Sequence, residues 1–265
     1  MPPTPPPPSP GQEPPEDAPS GDGQPAERPP ADQWRPSWGL PVDEPSGPSP
    51  PLAGRVLVAT PTIGDDRFAH TVILMLEHDP TGALGIVLNT PGDTPVEAVL
   101  ADWALRVSAP PVVFSGGPVG ADRALGLVRL RPGWSGGAGR FPGGLGVGDS
   151  GLTGDSDDSA QDIGPAGIVE VPGTAGSVGL VDLSRPASEL DAVVGVEEVR
   201  VFAGYAGWGA GQLDAELEVG AWWDATASSD DVFTADPGGL WRRVVARQGG
   251  TRALFARFTG DPSLN

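Results

Sequence analysis

Apolar positions along the chain fall into short runs cut by glycine, proline and aspartate, a pattern of strands mixed with a few helices. Arg55–Thr60 reads as a strand closed by Pro61. Thr71–Glu77 holds five consecutive apolar residues, Val72 to Leu76, and is predicted as a strand buried on both faces. Asp79-Pro80-Thr81-Gly82 puts Pro and Gly where a tight turn wants them, so Ala83–Asn89 returns as the other arm of a hairpin. Thr94-Pro95-Val96-Glu97 carries Thr as N-cap, Pro at N1 and Glu at N3, which predicts a helix to about Trp103 burying Val96, Val99, Leu100 and Trp103. Strands are expected at Pro111–Ser115, Ala124–Leu130 and Ser177–Asp182, and a helix from Pro186 through Val194. Between Pro132 and Gly176 the pattern collapses into Gly, Ser and Asp with a weak apolar patch near Ile168–Val171, read as a flexible insertion in a long loop.

The run Val199–Trp223 is the expected centre of the fold. A strand leads into a turn through Gly204, Gly207, Gly209 and Gly211. A helix then runs from Gly211 to Val219, with Leu213 and Leu217 as its apolar seam and Asp214, Glu216 and Glu218 facing water. A short strand follows at Trp222. Asp236-Pro237 starts a last helix that buries Leu240, Trp241, Val244 and Val245 and ends at Gln248-Gly249-Gly250. Ala253–Phe258 is a short apolar segment of open type. Hairpins mixed with helices favour an α+β fold in one compact domain over residues 52–265.

Composition alters this picture at the N-terminus. Residues 1–51 hold nineteen of the 33 prolines and eight carboxylates against two arginines, a net −6, and are expected to form a disordered, polyproline-rich acidic tail. Trp34 and Trp38 within it read either as a docking motif or as a patch lying on the parent domain. The whole chain carries −19, so residues 52–265 carry −19 + 6 = −13, which disfavours direct DNA binding. All sixteen basic residues are arginine; the lack of lysine removes Walker A, Schiff-base and pyridoxal chemistry. The lack of cysteine removes thiol nucleophiles, disulfides and cysteine metal sites. No apolar leader or membrane span is evident, and a soluble cytoplasmic protein is expected.

Four patterns invite chemistry. Glu77-His78-Asp79 is an acid–His–acid cluster, although successive strand residues point to opposite faces and converge only if the chain turns. The glycine turn before a helix resembles a phosphate cradle, but its order is not Gly-x-Gly-x-x-Gly, and Asp214 would repel an anion. Tyr205, Trp208 and Gln212 around that turn read either as pocket lining or as core. Gly148-Asp149-Ser150-Gly151 and Asp155-x-Asp157-x-Ser159 mimic a serine-protease motif and a calcium loop, yet sit in the low-complexity insertion and are rejected.

Several motifs in order resemble the AlgH/YqgE family. They are Val58-Ala59-Thr60-Pro61, Glu77-His78-Asp79 with Gly82-Ala83-Leu84-Gly85-Ile86-Val87-Leu88-Asn89, and Gly116-Gly117-Pro118 with Asp122-Arg123. Gly204-Tyr205-Ala206-Gly207-Trp208, Gly211-Gln212-Leu213, Glu216 and Ala221-Trp222 follow. The resemblance covers residues 52–131 and 177–265. It implies a coiled, branching mixed β-sheet flanked by helices in a cytosolic bacterial protein, without an established activity or cofactor; members have been labelled transcriptional regulators. Thr90 stands where relatives often carry a basic residue. The expected function is a non-catalytic ligand- or protein-binding regulatory domain, acting on transcription indirectly through a partner. Its site would be a cleft between the Gly204–Gln212 turn and the Glu77–Asn89 hairpin. The binding candidates are Glu77, His78, Asn89, Gly116, Gly117, Tyr205, Trp208 and Gln212, for a protein partner or a small polar ligand, with no metal and no cofactor. The alternative is a hydrolytic or acid–base enzyme using His78 with Glu77 or Asp79.

Overall fold

The computed structural model describes residues 51–61, 63, 68–131, 134, 167–175, 177–192 and 195–257. The tail expected over 1–51, apart from Pro51, lies outside the described residues, as do Trp34, Trp38 and the two motifs rejected at 148–159.

Among the described residues ten strands form the scaffold: β1 (Arg55–Ala59), β2 (Val72–Asp79), β3 (Gly82–Val87), β4 (Pro91–Pro95), β5 (Val112–Ser115), β6 (Val119–Leu130), β7 (Ile168–Glu170), β8 (Val178–Val181), β9 (Val196–Gly209) and β10 (Trp222–Thr226). The helices are short: α1 (Val96–Val99), α2 (Gln212–Glu218), α3 (Ser229–Val232), α4 (Leu240–Arg247) and α5 (Arg252–Phe255). The sheet runs β10-β1-β2-β3-β9-β6-β8-β7, and β4 joins through β5. Its strand pairings are antiparallel except that of β5 with β9, which is parallel with Phe114 opposite Phe202.

Strict alternation divides the interior. Val56 and Val58 of β1 face a core shared with Leu74, Phe114 and Phe202 and covered by α4 through Leu240, Trp241, Val244 and Val245. Leu57 and Ala59 face the other side, with Ile73, Met75, Trp208 and Trp222, covered by Leu213 of α2. Both faces of β2 are covered, as its unbroken apolar run predicts. A third cluster gathers Val96, Trp103, Val128, Leu130, Val199 and Val201 around the start of β9.

β9 departs from the expected strand–turn–helix. Gly204, Gly207 and Gly209 lie inside the strand, and only Ala210-Gly211 turns the chain into α2. Glycine is required at Gly204 by φ 72° and by crowding: a Cβ there would stand 2.6 Å from the Gly117 carbonyl oxygen and 2.8 Å from that of Val119. The β6 register against β9 shifts at this point, between Val119 and Ala124. As a result Phe202 and Tyr205 pack toward the same core, whereas Ala206 and Trp208 face the opposite one.

Other expectations change for local reasons. Thr94 caps no helix: Pro91–Pro95 is an exposed edge strand on β5, the Val96 amide donates to the Pro111 carbonyl, and the helix ends after one turn as Leu100 leaves helical geometry. A 3₁₀ turn, Ala101–Arg106, continues to the buried Trp103 and leaves Val99 exposed. The helix expected after Pro186 is a 3₁₀ turn, Ala187–Ala192. Within the segment read as an insertion, Ile168–Glu170 is β7, paired with β8. α3 was not foreseen; Ser228 and Asp231 close a capping box at its start. Ahead of α4, Asp236 accepts from the Gly239 amide at 3.1 Å, and the helix begins at Leu240 with the inward face expected.

Candidate functional site

His78, Ala83 and Trp208 lie in one cross-strand row over β2, β3 and β9. A register irregularity between Met75 and Glu77 turns His78 onto the face that α2 covers; regular alternation would have sent it to the other side. The hairpin and β9 are therefore hydrogen-bonded neighbours rather than the two walls of a cleft. The pocket of Tyr205, Trp208 and Gln212 does not form, because Tyr205 packs on the opposite face.

The acid at the centre is Glu216, which does not face water as expected. One carboxylate oxygen accepts from the indole nitrogens of Trp208 at 2.9 Å and Trp222 at 2.8 Å; the other accepts from the Gln212 amide at 3.0 Å. Gln212 in turn accepts from the Gly209 backbone amide at 3.1 Å, so the amide at the strand end is already occupied. The two indoles meet edge to face at 6.2 Å. This network fastens α2 to the sheet. Glu216→Ala should cost about 2–3 kcal/mol by stranding two indole donors, and should alter the near-ultraviolet circular dichroism of the tryptophans. An unchanged spectrum and melt would refute the role.

His78 sits beside Asp214, which also fails to face water freely. The imidazole is only 6 % exposed, and its Nε2 lies 3.5 Å from Asp214 Oδ1, an ion-pair distance only if the ring is protonated. Neither His78 Nδ1 nor Asp214 Oδ1 has a hydrogen-bond partner. The acid–His–acid trio does not converge. Glu77 is exposed opposite Leu84, and Asp79 is committed to the turn, accepting from the Thr81 hydroxyl at 2.5 Å and the Thr81 amide at 2.7 Å. Those two bonds hold the Asp79 carboxyl below the usual carboxylate range. Among the described residues no three His, Asp or Glu side chains gather as metal ligands.

The remaining candidates serve the backbone. Asn89 accepts from the Val72 amide and donates to the His70 carbonyl, both at 2.9 Å, which ties the start of β2 to the end of β3. Gly116 donates to the Ala203 carbonyl and accepts from the Val87 amide, both at 2.8 Å. A Cβ on Gly116 or Gly117 would collide with the backbone of Gly204 or Tyr205 respectively.

Two features escaped the sequence reading. Arg200 is fully buried, its guanidinium 4.5 Å over the Phe114 ring. It donates to the Ser108 hydroxyl at 3.1 Å, to the carbonyls of Val232 and Thr234 at 2.8 Å, and to that of Ala109. Burial pushes its pKa down to about 10, which leaves it charged at neutral pH. The signal was a lone charge inside Val199-Arg200-Val201-Phe202. The second feature is an open groove of about 610 Å³ lined by Asp102, Leu105, Arg106, Val107, Ala187, Ser188, Glu197 and Glu198. Leu105 stands in it 100 % exposed.

An AlgH-like family model matches residues 56–253. The UPF0301 protein SCO2948 of Streptomyces coelicolor is 42% identical over 214 residues, covering 81% of this chain and 95% of its own length. A UPF0301 protein of Thermobifida fusca is 40% identical over 218 residues, covering 81% and 96%. Among solved structures, the crystal structure of protein DIP2367 from Corynebacterium diphtheriae superposes with a TM-score of 0.62 at 27% identity, covering 79% of this chain and 94% of that one. With the match to the family model spanning most of the chain, and sequence relatives aligned over nearly their full length, this chain belongs to the AlgH-like family.

Proposed function

We propose that this chain is a non-catalytic, cytoplasmic binding domain that engages a protein partner through the groove beside Leu105, with any effect on transcription exerted through that partner. The observation that carries this reading is Leu105 itself. A leucine wholly exposed on a turn anchored by the buried Trp103 offers a partner roughly 1.5–3 kcal/mol of burial without any rearrangement. The rim is of mixed charge, with Asp102 and Arg106 beside Glu197 and Glu198, which pair with Arg131 at 3.1 Å and Arg129 at 2.7 Å, so it suits a partner segment with an apolar anchor flanked by polar residues. The internal commitments of Glu216, Gln212 and Asn89 support a scaffold role for the residues around α2.

The competing enzyme reading pairs His78 with Glu77 or Asp79, whereas the carboxylate that stands beside His78 is Asp214. Alleles separate the two. Leu105→Glu should abolish whatever phenotype the intact gene supplies while leaving the thermal midpoint within about 2 °C, as surface changes usually do. His78→Gln should retain the phenotype. The reverse outcome overturns the binding reading in favour of acid–base chemistry. Among the described residues no helix is long and apolar enough to cross a membrane.

A further inference from the structure

The segment Leu240–Arg257 carries five of the sixteen arginines, at 242, 243, 247, 252 and 257, and no carboxylate, in a chain of net charge −19. Two of the five are neutralised: Arg243 pairs with Asp236 at 2.7 Å, and Arg247 with the buried Asp231 at 2.5 Å. Arg242, Arg252 and Arg257 are exposed and have no carboxylate partner among the described residues. Apolar surface adjoins Arg252. The Arg252 guanidinium lies 5.5 Å over the Trp223 ring, Trp223 meets Phe255 at 5.5 Å, and Leu254 is 54% exposed. Arginine stacked on tryptophan beside a free leucine is the composition of binding hot spots. A cation held on an aromatic face also loses little further entropy when it meets an anion.

We infer that the α4–α5 face is a docking surface for a short acidic polypeptide segment of another protein, one that carries aliphatic or aromatic side chains between its carboxylates. This surface is separate from the Leu105 groove and its assignment does not depend on that reading. Charge complementarity selects the partner's sign, and the half-buried Trp223 and Phe255 with Leu254 select its apolar content. Size argues against a nucleic acid. α4 spans eight residues, about 12 Å, and the chain outside this segment carries 35 carboxylates against eleven arginines, so a longer phosphate backbone would meet net negative charge.

Fluorescence anisotropy with the full chain tests this. The probe is a labelled peptide of alternating Glu and Leu; its Gln–Leu counterpart and a short DNA duplex are the comparisons. The Glu–Leu peptide should bind saturably and weaken about tenfold between about 0.05 and 0.3 M salt, while the Gln–Leu peptide should not bind. Combining Arg242→Glu, Arg252→Glu and Arg257→Glu should abolish binding, and Leu105→Glu should leave it unchanged. Should the triple variant melt early, Arg242→Gln with Arg257→Gln, which leaves the Arg252 stack on Trp223 in place, should still weaken binding about threefold. No saturable binding, equal binding by the charge variants, or tighter binding of the duplex than of the peptide each overturns the inference.

Discussion

Arg200→Met should lower the thermal midpoint by roughly 6–20 °C, the outcome of losing about 3–5 kcal/mol in a domain of this size. Replacing a buried charge by an apolar side chain is sometimes neutral, because both members of an ion pair can be exchanged for packing. Here the acceptors are backbone carbonyls of Ala109, Val232 and Thr234, which remain whatever stands at position 200. Without the guanidinium the buried Val232 carbonyl loses its partner at about 1–3 kcal/mol, and the part-buried carbonyls of Ala109 and Thr234 lose theirs at a smaller cost nearer to solvent. Arg200→Lys keeps the charge but presents a point rather than a fork, so it should fall between the two. Calorimetric melts of the three proteins decide the matter. A methionine variant within about 2 °C of the parent would mean that water reaches those carbonyls and the clamp contributes little.

Gly204→Val should leave no soluble folded protein, and Gly117→Val should behave alike. Gly204 sits at φ 72°, where a β-branched residue is strained, and its Cβ would press on two carbonyl oxygens of the Gly117–Val119 segment that cannot retreat without breaking β6 from β9. Strain and collision together cost roughly 3–5 kcal/mol or more, a large share of a typical domain's stability. Gly209→Ala is the control: a Cβ there meets only the Gln212 side chain at 3.9 Å, so the melt should move by less than about 3 °C. If Gly204→Ala and Gly209→Ala melt together, the crossing is not tight and the account of β9 is wrong.

What the sequence made legible was local. The β2–β3 hairpin and the inward face of α4 follow from contiguous residues, an apolar run with a Pro-Gly turn and a 3.6-residue stripe, and both stand in the structure. β9 did not read as a single strand, because glycines inside a strand look the same as glycines in a turn; the reason for Gly204 lies about ninety residues away, in Gly117 and Val119. The face of His78 was hidden for a related reason. One irregularity in register reverses alternation, and nothing in Leu76-Glu77-His78 announces it. Glu216 looked like a solvent-facing helix acid because its partners, Trp208 and Trp222, come to it from two strands. Ile168–Glu170 is too short to propose itself as a strand, and becomes one only against β8. The groove at Leu105 depended on the helix after Pro95 stopping at one turn, in a place where β4 pairing won over a good capping sequence.

The pairing of β1 with β10 joins Arg55 to Thr226, a separation of 226 − 55 = 171 residues. On a ribosome adding about 5–20 residues per second, β1 therefore waits roughly 10–30 s for its edge to be covered. For most of that interval the β2–β3 hairpin, with Val72–Leu76 apolar on both faces, has neither α2 nor α4 over it. The nascent chain, rather than the finished domain, is then the species most exposed to aggregation, and its yield in the cell should depend on translation speed and chaperone supply.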